Sequence, residues 1–548
     1  MKTFVLTGGY SMIQNPILPG FCPDPSIIRV GEDYYIANSS FEWWPGVKIY
    51  HSKDLKHYEQ LPSPLNRTSQ LNMVGEGDSC GVWAPDISWD GEFFWLVYTD
   101  VKTRTGGFFN THNYLVKSKD IRGGWSEPVY LNSSGFDPSV FHDTDGKMYI
   151  VNMINNFKGI LVQEYDSEKE CLVGEAKNVF PGTGRGYTEG PHIYHIGEYY
   201  YLLMAEGGTS YEHMATMARS RSIWGPYEED PGNPVLTSDV ESPEELQKCG
   251  HADLVCTQNG EWYMVHLCAR PPKESRQCVL GRETAIQKMI WNKKGWLRLA
   301  CGGRFGQWET EEPTGIPEYL FPKEEGKDYG RDDFNVLPES DGMKTSALLD
   351  VRYTSLRQPY DSYTSLTERP GYLRLYGQES LNSCYNVSLV ARRQQESHVQ
   401  VETCVEFTPT CQEQMAGLAY MYDTGNFYLL VKTREEEFGS QTLHLKKPAK
   451  LRLIKSNYFD VEDVIPAISI PEDGPVYLRI ITTQEGLYAK FFYSLDGKDY
   501  QELAEVPTNI LTDEQSEGFT GAHFGMYCHD MTGLRRYANF DYFEVVRK

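Results

Sequence analysis

A four-residue pattern recurs five times in the first half of the chain and constrains the fold more than any other feature. The copies are Asp24-Pro25-Ser26-Ile27, Ala84-Pro85-Asp86-Ile87, Asp137-Pro138-Ser139-Val140, Gly190-Pro191-His192-Ile193 and His251-Ala252-Asp253-Leu254. Each leads through an apolar strand and a glycine turn (Gly31, Gly91, Gly146, Gly197, Gly260) into a strand rich in aromatic residues, as in Tyr199-Tyr200-Tyr201-Leu202. A period of roughly 50 to 65 residues suits one small antiparallel sheet per repeat and predicts a five-bladed β-propeller. Equivalent residues of a radial array lie at equal distances from its axis. The first-position residues Asp24, Ala84, Asp137, Gly190 (with Glu189 before it) and His251 are therefore expected to meet at one mouth of the channel.

At 548 residues the chain exceeds one ordinary core, so a second domain is expected. The repeats occupy about 15–307, with almost no helical periodicity. One helix is predicted, over Ser242-Pro243-Glu244-Glu245-Leu246-Gln247-Lys248, from a Ser N-cap and an early proline. Composition turns proline-rich and charged around Pro317 and Pro322-Lys323-Glu324-Glu325-Gly326-Lys327-Asp328. This places the propeller at 1–318, a linker at 319–331 and a second all-β domain at 332–548. Runs such as Val399–Phe407, Ala416–Tyr422, Phe427–Lys432, Val476–Ile481 and Ala489–Ser494 predict a two-sheet sandwich of jelly-roll type, with one face of each sheet buried.

The balance of 52 basic against 76 acidic residues, a net charge of −24, argues against nucleic acid or an anionic membrane as partner. The start, Met1 to Gly9, lacks the apolar core of a secretory signal, and no stretch approaches the roughly 18 apolar residues of a membrane span. A cytoplasmic location is expected. The 12 cysteines are scattered without a Cys-x-x-Cys and are read as buried free thiols.

Three carboxyl groups gathered at one channel mouth point to acid–base work on a neutral substrate, and glycoside hydrolysis is the usual chemistry for such a set. Asp24, between two prolines, has the rigidity of a fixed base. Glu189 has the longer arm for a proton donor, and Asp137 beside it would raise its proton affinity by like-charge repulsion. The residues alone leave these roles open. An isolated Asp-Pro-Ser is usually a turn; two at one repeat position, with Glu and His at others, are harder to explain that way. Phe41 and Trp83 fall where loops should rim the channel, and their rings suit the apolar faces of sugars. His192 and His195, three apart on a strand, face opposite sides, so neither is assigned to a metal.

The runs Asn15-Pro16-Ile17-Leu18-Pro19-Gly20-Phe21-Cys22-Pro23-Asp24-Pro25-Ser26, Asn38-Ser39-Ser40-Phe41-Glu42-Trp43, Gly81-Val82-Trp83-Ala84-Pro85-Asp86, Phe136-Asp137-Pro138-Ser139, Thr188-Glu189-Gly190-Pro191-His192, Gly250-His251-Ala252 and Leu280-Gly281-Arg282-Glu283-Thr284 together resemble the β-xylosidases of glycoside hydrolase family 43. The resemblance spans nearly the whole chain. It implies an inverting enzyme that releases xylose from the non-reducing ends of xylo-oligosaccharides, with α-L-arabinofuranosides and arabinoxylo-oligosaccharides as alternative substrates. It makes Asp24 the general base, Glu189 the general acid and Asp137 the residue that tunes the acid. It lines the terminal-sugar pocket with Phe41, Trp83, Ala84, Thr209, His251 and Arg282. A loop of the sandwich, Gly518-Phe519-Thr520-Gly521-Ala522, would close the pocket and put Phe519 beside the leaving group.

No cofactor is implied; a structural calcium ion in the channel below His251 is compatible with the family, and homo-oligomers are common in it. Two departures stand out. Ile154-Asn155-Asn156 occupies a place where an aromatic is expected, and Gly190 replaces an alanine after the acid. A fructan-cleaving propeller is disfavoured because Phe136 stands where such enzymes carry an arginine. A silent carbohydrate-binding propeller would have little use for a proton donor paired with a base.

Overall fold

The computed structural model describes residues 11–105, 108–242, 245–321, 329–335, 349–435 and 448–548. The nine N-terminal residues read for a signal and the charged run 322–328 lie outside them.

The first half is a closed ring of five antiparallel meanders. Blade 1 consists of Ser26–Val30, Asp33–Asn38, Lys48–Ser52 and Glu59–Leu61, paired in that order. The innermost strands of the five blades are Ser26–Val30, Gly81–Trp89, Ser139–His142, Glu189–Ile196 and Gln247–Cys256. Each packs against the next and the fifth against the first. The N-terminal strand Met12–Gln14 pairs with Glu309–Glu311, and the Asn15 side chain bonds both backbone groups of Ile286, so the two ends of the propeller sequence are tied together. All five turn glycines hold a positive φ, the condition for tight hairpins between right-twisted strands.

The repeat's first position is left-handed in four blades: φ is +52° at Asp24, +52° at Asp137, +54° at Gly190 and +41° at His251. Aspartate, glycine and histidine are among the residues that tolerate this region, which accounts for their place in the motif. Strand pairing is interrupted at the same point, between Glu189 and His192 and between Gly250 and Ala252. Such bulges re-aim side chains.

The helix expected over 242–248 is absent from the described residues. Gln247 and Lys248 instead open the innermost strand of blade 5, and the Gln247 amide donates to the carbonyls of Asp239, Ser242 and Glu245. Pro243 and Glu244 lie outside the described residues, and seven residues do not offset the cost of nucleating a helix.

The second half is a sandwich of two antiparallel sheets. One is built around Val399–Glu406, Val476–Thr483 and Tyr537–Arg547; the other around Gln414–Met421, Phe427–Thr433 and His523–Asp530. Val401, Leu478, Phe491 and Phe543 face Leu418, Leu430 and Phe524 across the core. The expectation of one buried face per sheet holds for Val476–Thr483, which alternates, but not for Gln414–Met421 or Phe427–Thr433, which are buried throughout. Their second face, with Ala419, Met421 and Leu429, belongs to the same apolar cluster as Phe41, Trp43 and Trp83 of the propeller. A sheet covered on both sides reads as a continuous apolar run.

The two halves also share backbone. Trp43–Trp44 pairs with Ser355–Leu356, and the wholly buried Arg357 reaches the Glu76 carbonyl (2.6 Å) and Asp78 Oδ1 (2.7 Å). None of the twelve cysteines is in a disulfide, and most of them are buried. Among the described residues no helix is long and apolar enough to cross a membrane.

Candidate active site

One cavity of about 390 Å³, counting its open mouth, lies at the end of the channel where the first-position residues meet. Its walls are Asp24, Phe41, Trp83, Ala84, Phe136, Asp137, Glu189, Thr209, His251, Arg282 and Phe519. The three carboxyl residues and the seven pocket residues named from the sequence are in this set; Gly190, expected at the same mouth, is not. Phe136 was missed as a wall; it occupies the place just before the repeat, as Trp83 and Glu189 do, and that place is the signal that would have found it.

Asp24 is 5 % exposed and firmly held. Its Oδ2 accepts from the Ser39 hydroxyl (2.7 Å), its Oδ1 from Arg282 Nη1 (3.1 Å), and His251 Nδ1 stands 3.8 Å away. Burial by itself would raise its pKa. The Arg282 guanidinium, His251 and the Ser39 hydrogen bond outweigh burial and hold Asp24 below the ordinary carboxylate value, so it is ionised.

Glu189 is the opposite case. Its carboxyl accepts no hydrogen bond from any described residue and faces the cavity, and burial followed by the charges of Asp137 and Asp24 raises its pKa well above the usual range. Asp137 accepts from the Gly190 amide (3.0 Å) and is pushed up to about 8, by burial first and Asp24 second. Two carboxyls this close cannot both ionise cheaply, so the pair retains a proton near neutral pH. The cavity therefore holds one committed carboxylate and one available proton.

Arg282 ties Asp24 to the pocket wall. Besides Asp24 it donates to Thr209 Oγ1 (2.8 Å) and to the Phe519 carbonyl (3.0 Å), and its guanidinium lies over the Phe41 and Phe519 rings at 5.3 and 5.5 Å. Phe519 comes from the sandwich. Its ring sits 6.0 Å from Phe41 and 5.7 Å from Trp83, and its amide donates to Ser79 Oγ (3.0 Å). Ser79 is a node: its carbonyl accepts from Trp83 Nε1 (2.9 Å) and its amide donates to buried Glu42 (3.1 Å), the neighbour of Phe41. The loop that carries Phe519 is anchored by buried Lys248, which pairs with Asp513 (3.0 Å) and Glu514 (2.8 Å). Gly281 has no room for a side chain there, since a Cβ would lie 2.1 Å from the Thr520 carbonyl oxygen.

Both sequence departures have structural counterparts. Gly190 packs on the His251 ring, where a Cβ would come within 3.1 Å, and its φ of +54° is strained for alanine. After Ile154-Asn155-Asn156 the chain supplies Phe157, whose ring meets Phe136 edge-on at 6.0 Å.

Two residues further along each repeat, the side chains form a second ring. Asp86 accepts from Ser26 Oγ (2.8 Å) and the Val140 amide (2.8 Å), and Asp253 accepts from the Ile27 amide (2.6 Å) and the Tyr194 hydroxyl. His192 Nδ1 lies between them, 3.4 Å from Asp86 and 3.8 Å from Asp253, while His195 turns away to Asp143. Asp86, His192 and Asp253 are the only described group spaced to hold a metal ion. Calcium fits them poorly, because it seeks six to eight oxygen ligands, one donor here is an imidazole, and the carboxylate oxygens are already engaged. Burial would lower His192, but Asp253 and Asp86 override it and lift its pKa to about 9, so the imidazolium itself is the cation of this ring.

Residues 13–297 match Glycosyl hydrolases family 43, and residues 345–546 match the β-xylosidase C-terminal concanavalin A-like domain. The chain is 45% identical to a β-xylosidase of Bacillus subtilis, over 98% of this chain and all of that one. It is 44% identical to a xylosidase/arabinosidase of Humicola insolens, over 97% of each chain. The crystal structure of xylan β-1,4-xylosidase from Bacillus halodurans superposes with a TM-score of 0.90 at 46% identity, covering 98% of this chain and all of that one. Propeller, sandwich, pocket and sequence agree: the chain belongs to glycoside hydrolase family 43.

Proposed function

We propose that this glycoside hydrolase is an inverting, exo-acting β-xylosidase that releases xylose from the non-reducing ends of xylo-oligosaccharides. The observation that carries the reading is the opposite charge state of two carboxyls in one small cavity, Asp24 held ionised and Glu189 held protonated. Asp24 takes a proton from a water that attacks the anomeric carbon, and Glu189 gives its proton to the departing glycosidic oxygen. Attack from the face opposite the leaving group inverts the anomeric configuration. Asp137 keeps the proton on Glu189 by like-charge repulsion and orients the segment through Gly190. Arg282 holds the base ionised, and Phe41, Trp83 and Phe519 cover the apolar faces of the terminal sugar.

Closure explains exo-action. The position-three residues line a separate cavity at the other end of the propeller, which shares no wall with the pocket. A chain that enters such a pocket end-first is cleaved at its end. A second reading, α-L-arabinofuranosidase action at the same site, is favoured by the similarity to a xylosidase/arabinosidase.

The test is hydrolysis of xylobiose and of an arabinofuranosyl-substituted xylo-oligosaccharide, followed by NMR, with Asp24→Ala as control. The expected result is α-xylose as the first anomer, lost in the control. β-Xylose as the first anomer would overturn inversion, and arabinose alone would move the specificity to the second reading.

A further inference from the structure

The acid marks the side on which the leaving sugar departs, because its proton must reach the glycosidic oxygen; the base marks the far side. Phe136, next to Asp137, is one wall of the pocket, and from it a line of rings runs outward to the segment that carries the acid. Phe136 is 5 % exposed and meets Phe157 at 6.0 Å between centroids, 85° between planes. Phe157, half-buried, meets Tyr187 at 4.8 Å and 71°, and Tyr187 is 58 % exposed. Tyr187 is two residues before Glu189, so the outermost ring and the acid share one short segment.

The backbone under these rings is costly. Asn156, Phe157 and Tyr187 have φ of +63°, +54° and +37°, a region that bulky side chains seldom enter. Strain of this kind persists only where the surroundings over-determine it, and it clusters at ligand sites. Tyr187 is supported from behind: a Cβ on Gly208 would lie 3.1 Å from its ring, and the Gly207 amide donates to the Gly186 carbonyl (2.9 Å), joining the two loops. A tyrosine ring braced on one side and open on the other is a preformed apolar platform, continuous with the pocket wall.

We propose that Phe157 and Tyr187 form an acceptor-side subsite that takes, against its apolar C–H face, a sugar of the substrate beyond the leaving one. The inference rests on the glycosidase reading above and adds a preference, among its substrates, for xylo-oligosaccharides of three or more residues over xylobiose. Tyr187 stacks on the third sugar from the cleaved end, with Phe157 filling the step between it and Phe136.

The experiment compares kcat/KM on xylobiose, xylotriose and xylotetraose for the wild-type enzyme, Tyr187→Ala and Tyr187→Phe. Loss of one apolar contact face should lower kcat/KM of Tyr187→Ala on xylotriose and xylotetraose by roughly five- to ten-fold, chiefly through KM. Xylobiose turnover should stay within about two-fold, and Tyr187→Phe, which keeps the ring, should behave as wild type. Phe157→Ala should show the same length dependence if the ladder is one unit. An equal loss on all three substrates, or none, would overturn the subsite while leaving the glycosidase reading intact. A wild-type enzyme inert on all three would overturn both.

Discussion

The first and third positions of the same five repeats, separated by one residue, form two rings with opposite energetics. In the third-position ring every acid is satisfied: Asp86 and Asp253 accept backbone and hydroxyl hydrogen bonds and flank an imidazolium. At the first positions Asp24 accepts from Ser39 and Arg282 and Asp137 only from the Gly190 amide, while Glu189, just before Gly190, is left without a donor. A half-buried carboxyl crowded by two other acids and given no donor is a standing cost, and a fold tolerates it where chemistry needs the proton. The difference teaches that one scaffold position satisfies its acids and its neighbour leaves a carboxyl without a donor, and that hydrogen-bond accounting tells the two apart better than residue type.

The largest effect that would break this contrast is at Glu189. Glu189→Gln should lower kcat on xylobiose by about 10³-fold or more, with much of the loss recovered on aryl xylosides whose leaving groups need no proton. Steady-state kinetics on both substrates checks it; retained turnover on xylobiose would place the acid elsewhere. The counterpart in the bracing ring is His192→Asn, which leaves Asp86 and Asp253 facing each other without their cation. It should cost about 3 kcal/mol or more of stability, seen as a large fall in melting temperature, while kcat of the folded fraction stays within a few-fold. A large drop in kcat without loss of stability would merge the two rings into one functional unit.

Acidity sharpens the comparison further. His192 is raised to about 9 in the fold from an ordinary 6.5, so its stabilising charge is fully present below pH 6.5 and is lost as pH climbs through 9. Thermal stability of the wild type should therefore fall over that window, and the His192→Asn variant should lose that part of the slope. At the catalytic ring, Asp24 is depressed and Glu189 raised, so activity should run from below the ordinary carboxylate pKa up to an alkaline limb set by the acid. Arg282→Gln removes the cation that holds Asp24 down, and the acidic limb of kcat/KM should then move to higher pH. The smallest effect is expected at the domain junction. Ser79→Ala deletes the hydroxyl that seats the Phe519 amide, at a cost of about 1 kcal/mol. KM should rise about five-fold and kcat change little, since the carboxylates are untouched.

Much of the fold and of the site is legible in the order of residues along the chain. The five-fold recurrence exposes the propeller, and the type of residue at its first position, or just before it, singles out Asp24, Asp137, Glu189 and His251. The left-handed backbone there has its own signature, the exclusive use of Asp, Gly and His at the four positive-φ sites. Phe136 escapes because an aromatic before an Asp-Pro looks like core in so aromatic a chain. Thr209, Arg282 and Phe519 come only through family resemblance, because none occupies a repeat position. The helix over 242–248 fails because capping signals take no account of the competing pairing of Gln247 with Ala269 in the next strand.

The sequence by itself determined the number of blades, the chemistry available at their inner ends and the presence of a second β domain, because these follow from periodicity and residue type along the chain. Tertiary structure alone decided which acid keeps its proton, which ring is bracing and which reactive, and where the sandwich enters the pocket. Those depend on burial, on charges arriving from other blades and on hydrogen bonds between residues hundreds of positions apart, such as Arg282 with Asp24 and Phe519 with Ser79. Local sequence carries no record of such distances, and the energy of a charge depends on them more than on anything else.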